Sequence, residues 1–132
     1  IRLSPDDWMD ALSINLWDGE TRARIESLQW KLGQKLLKSG LTIIIEWGTW
    51  GKSERDTLRE GARKLGAAVE LHYLSVPPET LFERIQHRGM EDPPIKFEDV
   101  LRWAEIIQVP TEEEMALFDP PSECENLRAF YA

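Results

Sequence analysis

Three acids and three arginines in this chain have the types and spacing to do chemistry: Asp6, Asp7 and Glu46, with Arg55, Arg84 and Arg88. Asp6 and Asp7 follow IRLS, which reads as the end of a strand. Glu46 closes the run LTIIIE, whose unbroken Ile43, Ile44 and Ile45 read as a strand buried on both faces. Acids at the ends of neighbouring parallel strands face the same sheet edge. There they hold Mg²⁺ through water or take a proton from a hydroxyl. Arg84 and Arg88 lie four apart, hence on one helix face, and arginines so spaced can grip a phosphate bidentately. Arg55, Arg59 and Arg63 repeat that spacing after the loop Gly48–Gly51. Arg59 and Arg63 read as salt-bridge lacing on a wet face, which leaves Arg55 as a further phosphate candidate. Each nomination has a plainer rival: helix capping for Asp6, solvent for Asp7, the first polar residue after a core strand for Glu46, and a solvated face beside Glu83 for the α-helical arginines.

The elements that must position these groups alternate. Ile1–Ser4 reads as a strand. A helix opens at Ser4 or Asp6 as N-cap, with Trp8, Leu12 and Leu16 as its apolar stripe, and Asp18-Gly19 breaks it. A long helix is expected from Glu20 to Ser39, its stripe running Ile25, Leu28, Leu32, Leu36, with Gly40 as its stop. Leu41–Trp47 is the central strand. Ser53 with Asp56 reads as a capping box for a helix that reaches Leu65. Ala67–Val76 is expected as a third strand, and Pro77-Pro78-Glu79 opens the helix that carries Arg84 and Arg88. Phe97–Ile107 reads as a helix, Thr111–Glu114 as a second capping box opening a short turn, and 119–132 as a tail. Strand, helix, strand, helix, strand, helix, helix is an α/β order with a parallel sheet and right-handed crossovers. Three short strands make a thin sheet, and the start at Ile1, already inside a strand, predicts further sequence upstream.

The whole, 1–132, fits one domain of ordinary globular composition, with 42% hydrophobic and 30% charged residues. A formal net charge of −8 and a pI of about 4.8 argue against non-specific binding to nucleic acid or to anionic membrane. The single cysteine, Cys124, suits a reducing compartment, and no membrane span or signal segment is visible, so a cytoplasmic location is expected. No His-x-x-x-His zinc spacing and no Gly-x-Ser-x-Gly elbow occurs.

Taken together, the double aspartate after a first strand, the strand ending in Glu46, Ser-Glu-Arg opening a helix, the strand ending Val-Pro-Pro-Glu and Arg84-x-x-x-Arg88-Gly89 resemble the P-loop kinase-like ATP-binding proteins. That group includes the kinase part of polynucleotide 5′-kinase and, more distantly, zeta toxins and chloramphenicol phosphotransferase. The stretches EWGTWGKSERDTLREGARKLGAAVELHYLSVPPETLFERIQHRG and PTEEEMALFDPP are similar to a bacterial branch of it, and the resemblance spans about Ile1 to Pro121. It implies a three-layer P-loop NTPase sheet flanked by helices. The implied activity is ATP-dependent, Mg²⁺-assisted transfer of the γ-phosphate to a hydroxyl of a small-molecule or nucleotide acceptor. A non-catalytic nucleotide- or partner-binding protein that keeps the scaffold is the alternative. By the resemblance Asp6 matches the general base on the acceptor hydroxyl with Asp7 beside it. Glu46 matches the acid ending the Walker B-type strand, and Arg84 and Arg88 match the lid arginines over the nucleotide phosphates. The chain departs from the pattern in three ways. Gly-x-x-x-x-Gly-Lys-Ser/Thr does not occur in it, and in the family that loop lies on a strand and helix preceding Ile1, the strand falling between the second and third strands named here. Glu46 replaces the usual aspartate, and Met9 stands where polynucleotide kinases carry a substrate-binding arginine, which with the acidic balance makes a nucleic-acid acceptor unexpected.

Overall fold

Residues 1–121 are described in the computed structural model. Two short strands run side by side, β1 (Arg2–Leu3) and β2 (Ile44–Ile45), parallel, with Arg2 opposite Ile44 and Leu3 opposite Ile45. The ladder extends a little at each end: Ile44 N–H donates to Ile1 O at 2.8 Å and Glu46 N–H to Leu3 O at 3.0 Å. The described residues also form six helices, α1 (Pro5–Ala11), α2 (Gly19–Lys38), α3 (Lys52–Lys64), α4 (Pro78–Arg88), α5 (Phe97–Ile106) and α6 (Glu112–Met115).

Local chemistry explains most of the boundaries. Pro5 takes the first turn of α1, and Asp7 N–H donates to Ser4 Oγ at 3.4 Å, so Ser4 is the cap. Asp18 caps α2 by accepting from Thr21 N–H at 3.0 Å. Thr111 caps α6 through Glu114 N–H at 3.1 Å. Gly89, in the left-handed region at φ 61, ends α4 directly after Arg88.

The main buried apolar cluster is small and joins α1 to α2. Met9, Leu16 and Ile25 are buried together, with Trp8, Ile14 and Met90 packed against them. Met9 is fully buried there. The helix α2 approaches the strands through Ile25, Gln29 and Gly33. A Cβ on Gly33 would come 2.9 Å from Ile43 Cδ1 and 3.3 Å from Leu3 Cδ1, so glycine lets the helix lie close on the ribbon.

Several expectations need correction. Burial along α2 follows 25, 29 and 33, and Leu28 and Leu32 are exposed, because the close approach at Gly33 turns the leucine side away from the strands. Likewise Leu12 is exposed, and Met9 takes the core position on α1. Ile43–Ile45 is half-buried and only Ile44–Ile45 is strand. Residues 67–76 form no strand: the sheet has two strands only among the described residues. A strand needs a ladder partner, and Val69 instead exchanges bonds with Asp119, whose N–H donates to Val69 O at 2.7 Å and whose Oδ2 accepts from Val69 N–H at 2.7 Å. The helix α3 begins two residues early, with Gly51 in place of Ser53 as N-cap and no side-chain bond at the cap. Of the expected tail, 122–132, including Cys124, lies outside the described residues.

Candidate active site at the strand ends

Both strands deliver an acid to the same edge. Asp6 and Asp7 sit in the first turn of α1 immediately after β1, and Glu46 follows β2. Arg2 joins two of them: its guanidinium pairs with Asp7 through Nη1 and with Glu46 through Nε. These hydrogen bonds, the one to Glu46 foremost, hold Arg2 above the ordinary arginine range. Asp6 turns the other way, to Arg22 on the second turn of α2, which also donates to Leu16 O at 2.9 Å.

Arg88 reaches this edge from the far end of α4. Its Nη1 lies 3.8 Å from Asp6 Oδ2, and its Nη2 pairs with Glu91. Three features place it there. The αL turn at Gly89 stops the helix, and Met90 enters the apolar cluster of Met9, Leu16 and Ile25. Asn15 Nδ2 donates to Asp92 O at 2.7 Å and Trp17 Nε1 to Pro93 O at 2.6 Å, which staples the loop after α4 to the loop after α1.

Of the nominated residues, the structure therefore joins Asp7 to Glu46 through Arg2 and brings Asp6 to Arg88. Arg84, one turn earlier on α4, is exposed and forms no ion pair among the described residues. Arg55 goes elsewhere. It is 4% exposed, and its guanidinium is taken up by Glu114 (Nε to Oε1 2.7 Å, Nη2 to Oε2 3.0 Å), by Thr49 O at 2.9 Å and by Gln108 O at 2.7 Å. A guanidinium so occupied is a tie between segments and not a free phosphate grip.

Two members were missed from sequence, Arg2 and Arg22. For Arg2 a signal exists once the register is known: it faces Ile44, and Glu46, two residues on, returns to the same face of the ribbon. Arg22 carries no local pattern, since its partner Asp6 lies 16 residues away on another helix.

Asp6, Asp7 and Glu46 are the carboxylates a metal would use, yet each already faces an arginine. Among the described residues no three His, Cys, Asp or Glu side chains converge as metal ligands. These acids do not by themselves make a Mg²⁺ cage. What the arrangement supplies is a half-exposed carboxylate beside a half-exposed guanidinium, an acid–base group next to a cation.

No described helix is long and apolar enough to cross a membrane. A family model described as an AAA domain matches residues 1–109. No curated protein and no solved structure matches the chain.

Proposed function

The chain belongs to that AAA-domain family, a P-loop NTPase-like group with an α/β fold, and on that premise we propose that it is a nucleotide-dependent phosphotransferase. The donor is ATP with Mg²⁺, which the family implies in general terms, and the acceptor is a hydroxyl on a small molecule or nucleotide. When bound, the nucleotide supplies the phosphoryl group. Asp6 takes the proton of the acceptor hydroxyl, and Arg22 holds its carboxylate in place. Arg88 places positive charge on the phosphoryl group in flight, with Arg84 one turn away on the same helix. Arg2 orients Asp7 and Glu46 beside them. Such a division of labour suits in-line phosphoryl transfer, which needs positioning, a base and positive charge more than covalent help.

The observation that carries this reading is the 3.8 Å approach of Arg88 to Asp6 across α1 and α4. It sets the proposed base next to the proposed phosphate cation. A second reading, a nucleotide-binding scaffold without catalysis, draws support from the pairing of every acid with an arginine.

The test is ATP binding and γ-phosphate transfer to a panel of hydroxyl compounds by the full chain, with Asp6→Asn and Arg88→Ala. Transfer should fall by roughly 10²- to 10⁴-fold in Asp6→Asn, the usual weight of a positioned base. Nucleotide binding should survive in that variant and weaken in Arg88→Ala. Transfer unchanged in Asp6→Asn removes Asp6 as the base. ATP bound but never transferred favours the scaffold.

A further inference from the structure

A groove of about 320 Å³ lies between α2 and α3, at the small end of ligand sites. Its lining includes Trp30, Trp47 and Leu58, the carboxylates Glu26 and Glu54, and Thr57. None of these side chains belongs to the arginine–carboxylate cluster at the strand ends.

Both tryptophan walls are held in place. Trp47 Nε1 donates to Gln29 Oε1 at 2.9 Å, and Gln29 is itself completely buried. Trp30 lies against α3 where Gly61 leaves room: a Cβ there would stand 2.8 Å from Trp30 Cζ2. The indoles are therefore pre-organised, which lowers the entropy lost when a ligand settles on them.

The charge in the groove has one sign. Both of its ionisable lining residues are carboxylates. Burial pushes the Glu26 carboxyl up, and the negative charges of Glu54 and Asp6 add to this, while Arg22 opposes it. An aromatic-walled groove with like-charged acids is complementary to a cation with apolar substituents, since indole faces and carboxylates both attract it.

The groove also adjoins the site. Trp47 follows Glu46 directly, and Glu26 lies one helical turn beyond Arg22, the partner of Asp6. The charge of Asp6 acts on Glu26, so a ligand held beside Glu26 lies near the strand-end acids.

We propose that this groove binds a small organic cation, a quaternary or protonated amine whose molecule also bears the hydroxyl that accepts phosphate. Its role as acceptor rests on the phosphotransferase reading; its binding does not.

The probe is choline, compared with its uncharged isostere 3,3-dimethylbutan-1-ol, titrated into the full chain without nucleotide at constant ionic strength. Calorimetry and tryptophan fluorescence report binding. Choline should saturate, and the uncharged alcohol should bind about tenfold more weakly or worse. Glu26→Gln and Glu54→Gln should each weaken choline several-fold, Trp47→Leu should lose it, and Trp47→Phe should restore part of it. Circular dichroism of each variant separates lost binding from lost folding. Equal binding of the two probes, or no saturable binding of choline to the folded wild type, overturns the proposal. Choline binding without any phosphate transfer would sink the phosphotransferase reading, and the acceptor role that rests on it, while the cation groove stands. Transfer to uncharged hydroxyls by a chain that ignores choline would sink the cation groove alone.

Discussion

Arginine meets carboxylate in two regions of this molecule, and burial sets them apart. Around Arg55 and Glu114 the pair is nearly sealed, with side chains 4% and 2% exposed, and every hydrogen bond of the guanidinium ends on protein. At the strand ends the side chains of Arg2, Asp7 and Glu46 are 34%, 50% and 42% exposed, and those of Asp6 and Arg88 31% and 44%. A sealed pair has exchanged water for fixed partners and loses much if one partner goes. A wet pair can open at little cost and let a substrate take a partner's place. The first is built to hold the fold, and the second suits a site.

What the sealed pair holds is informative. Arg55 on α3 ties the loop at Thr49, the chain at Gln108 and the short helix α6 into one knot. Glu114 lies beyond residue 109, where the family match stops, so the knot fastens this following segment onto the matched part.

The largest expected effect follows directly. Glu114→Ala strands a buried guanidinium and should destabilise by roughly 3–5 kcal/mol, read from chemical denaturation. Replacing both partners with apolar residues, Arg55→Met with Glu114→Leu, should lose clearly less than Glu114→Ala, since no charge is left alone. A double variant as unstable as the single one would show that the carbonyls of Thr49 and Gln108, and not the charge pair, dominate the knot.

Acid should expose the same pair next. The hydrogen bond from Arg55 holds the Glu114 carboxyl below its ordinary value of 4.5. Its folded pKa is depressed, so its stabilisation is complete above 4.5 and is lost as pH falls through the lowered folded value. Asp18, Asp56 and Asp119 are also held low by hydrogen bonds, so the wild type sums several acid losses. The difference between wild type and Glu114→Gln isolates the pair: the two stability curves should converge as pH falls below 4.5. Parallel curves would mean that Glu114 does not titrate with folding.

The sequence made the helices legible, and the caps at Ser4 and Thr111 with them, because those signals are local; Asp18 reads there only as a break yet caps α2, and Gly51 displaces Ser53 as the cap of α3. It made the strand ends legible too, since Glu46 follows an apolar run and the paired aspartates follow IRLS. Burial within helices was less so. Ile25, Leu28, Leu32 and Leu36 fit a helical stripe, but contact at Gly33 selects a neighbouring face, and a close approach leaves no periodic trace. The segment 67–76 has strand composition without a strand partner, and pairing is not a property of one segment. Arg55 misled for a similar reason. Its spacing with Arg59 and Arg63 describes a helix face, while its fate is decided by Glu114, 59 residues on.

The smallest effect is expected at the strand ends, and it sharpens the contrast most. Asp7→Asn removes one partner of Arg2 in a half-exposed pair while Glu46 keeps the guanidinium engaged. Stability should change by no more than about 1 kcal/mol, and added salt should shrink even that, since exposed pairs are screened. Glu46→Gln should behave alike, because Asp7 remains. If the strand ends are a site, these near-silent substitutions should still lower phosphate transfer, because Arg2 would no longer hold both acids in one orientation. A loss of several kcal/mol in either variant would instead make this region a second structural knot. The difference in burial would then no longer tell which arginine–carboxylate cluster serves the fold and which serves the chemistry.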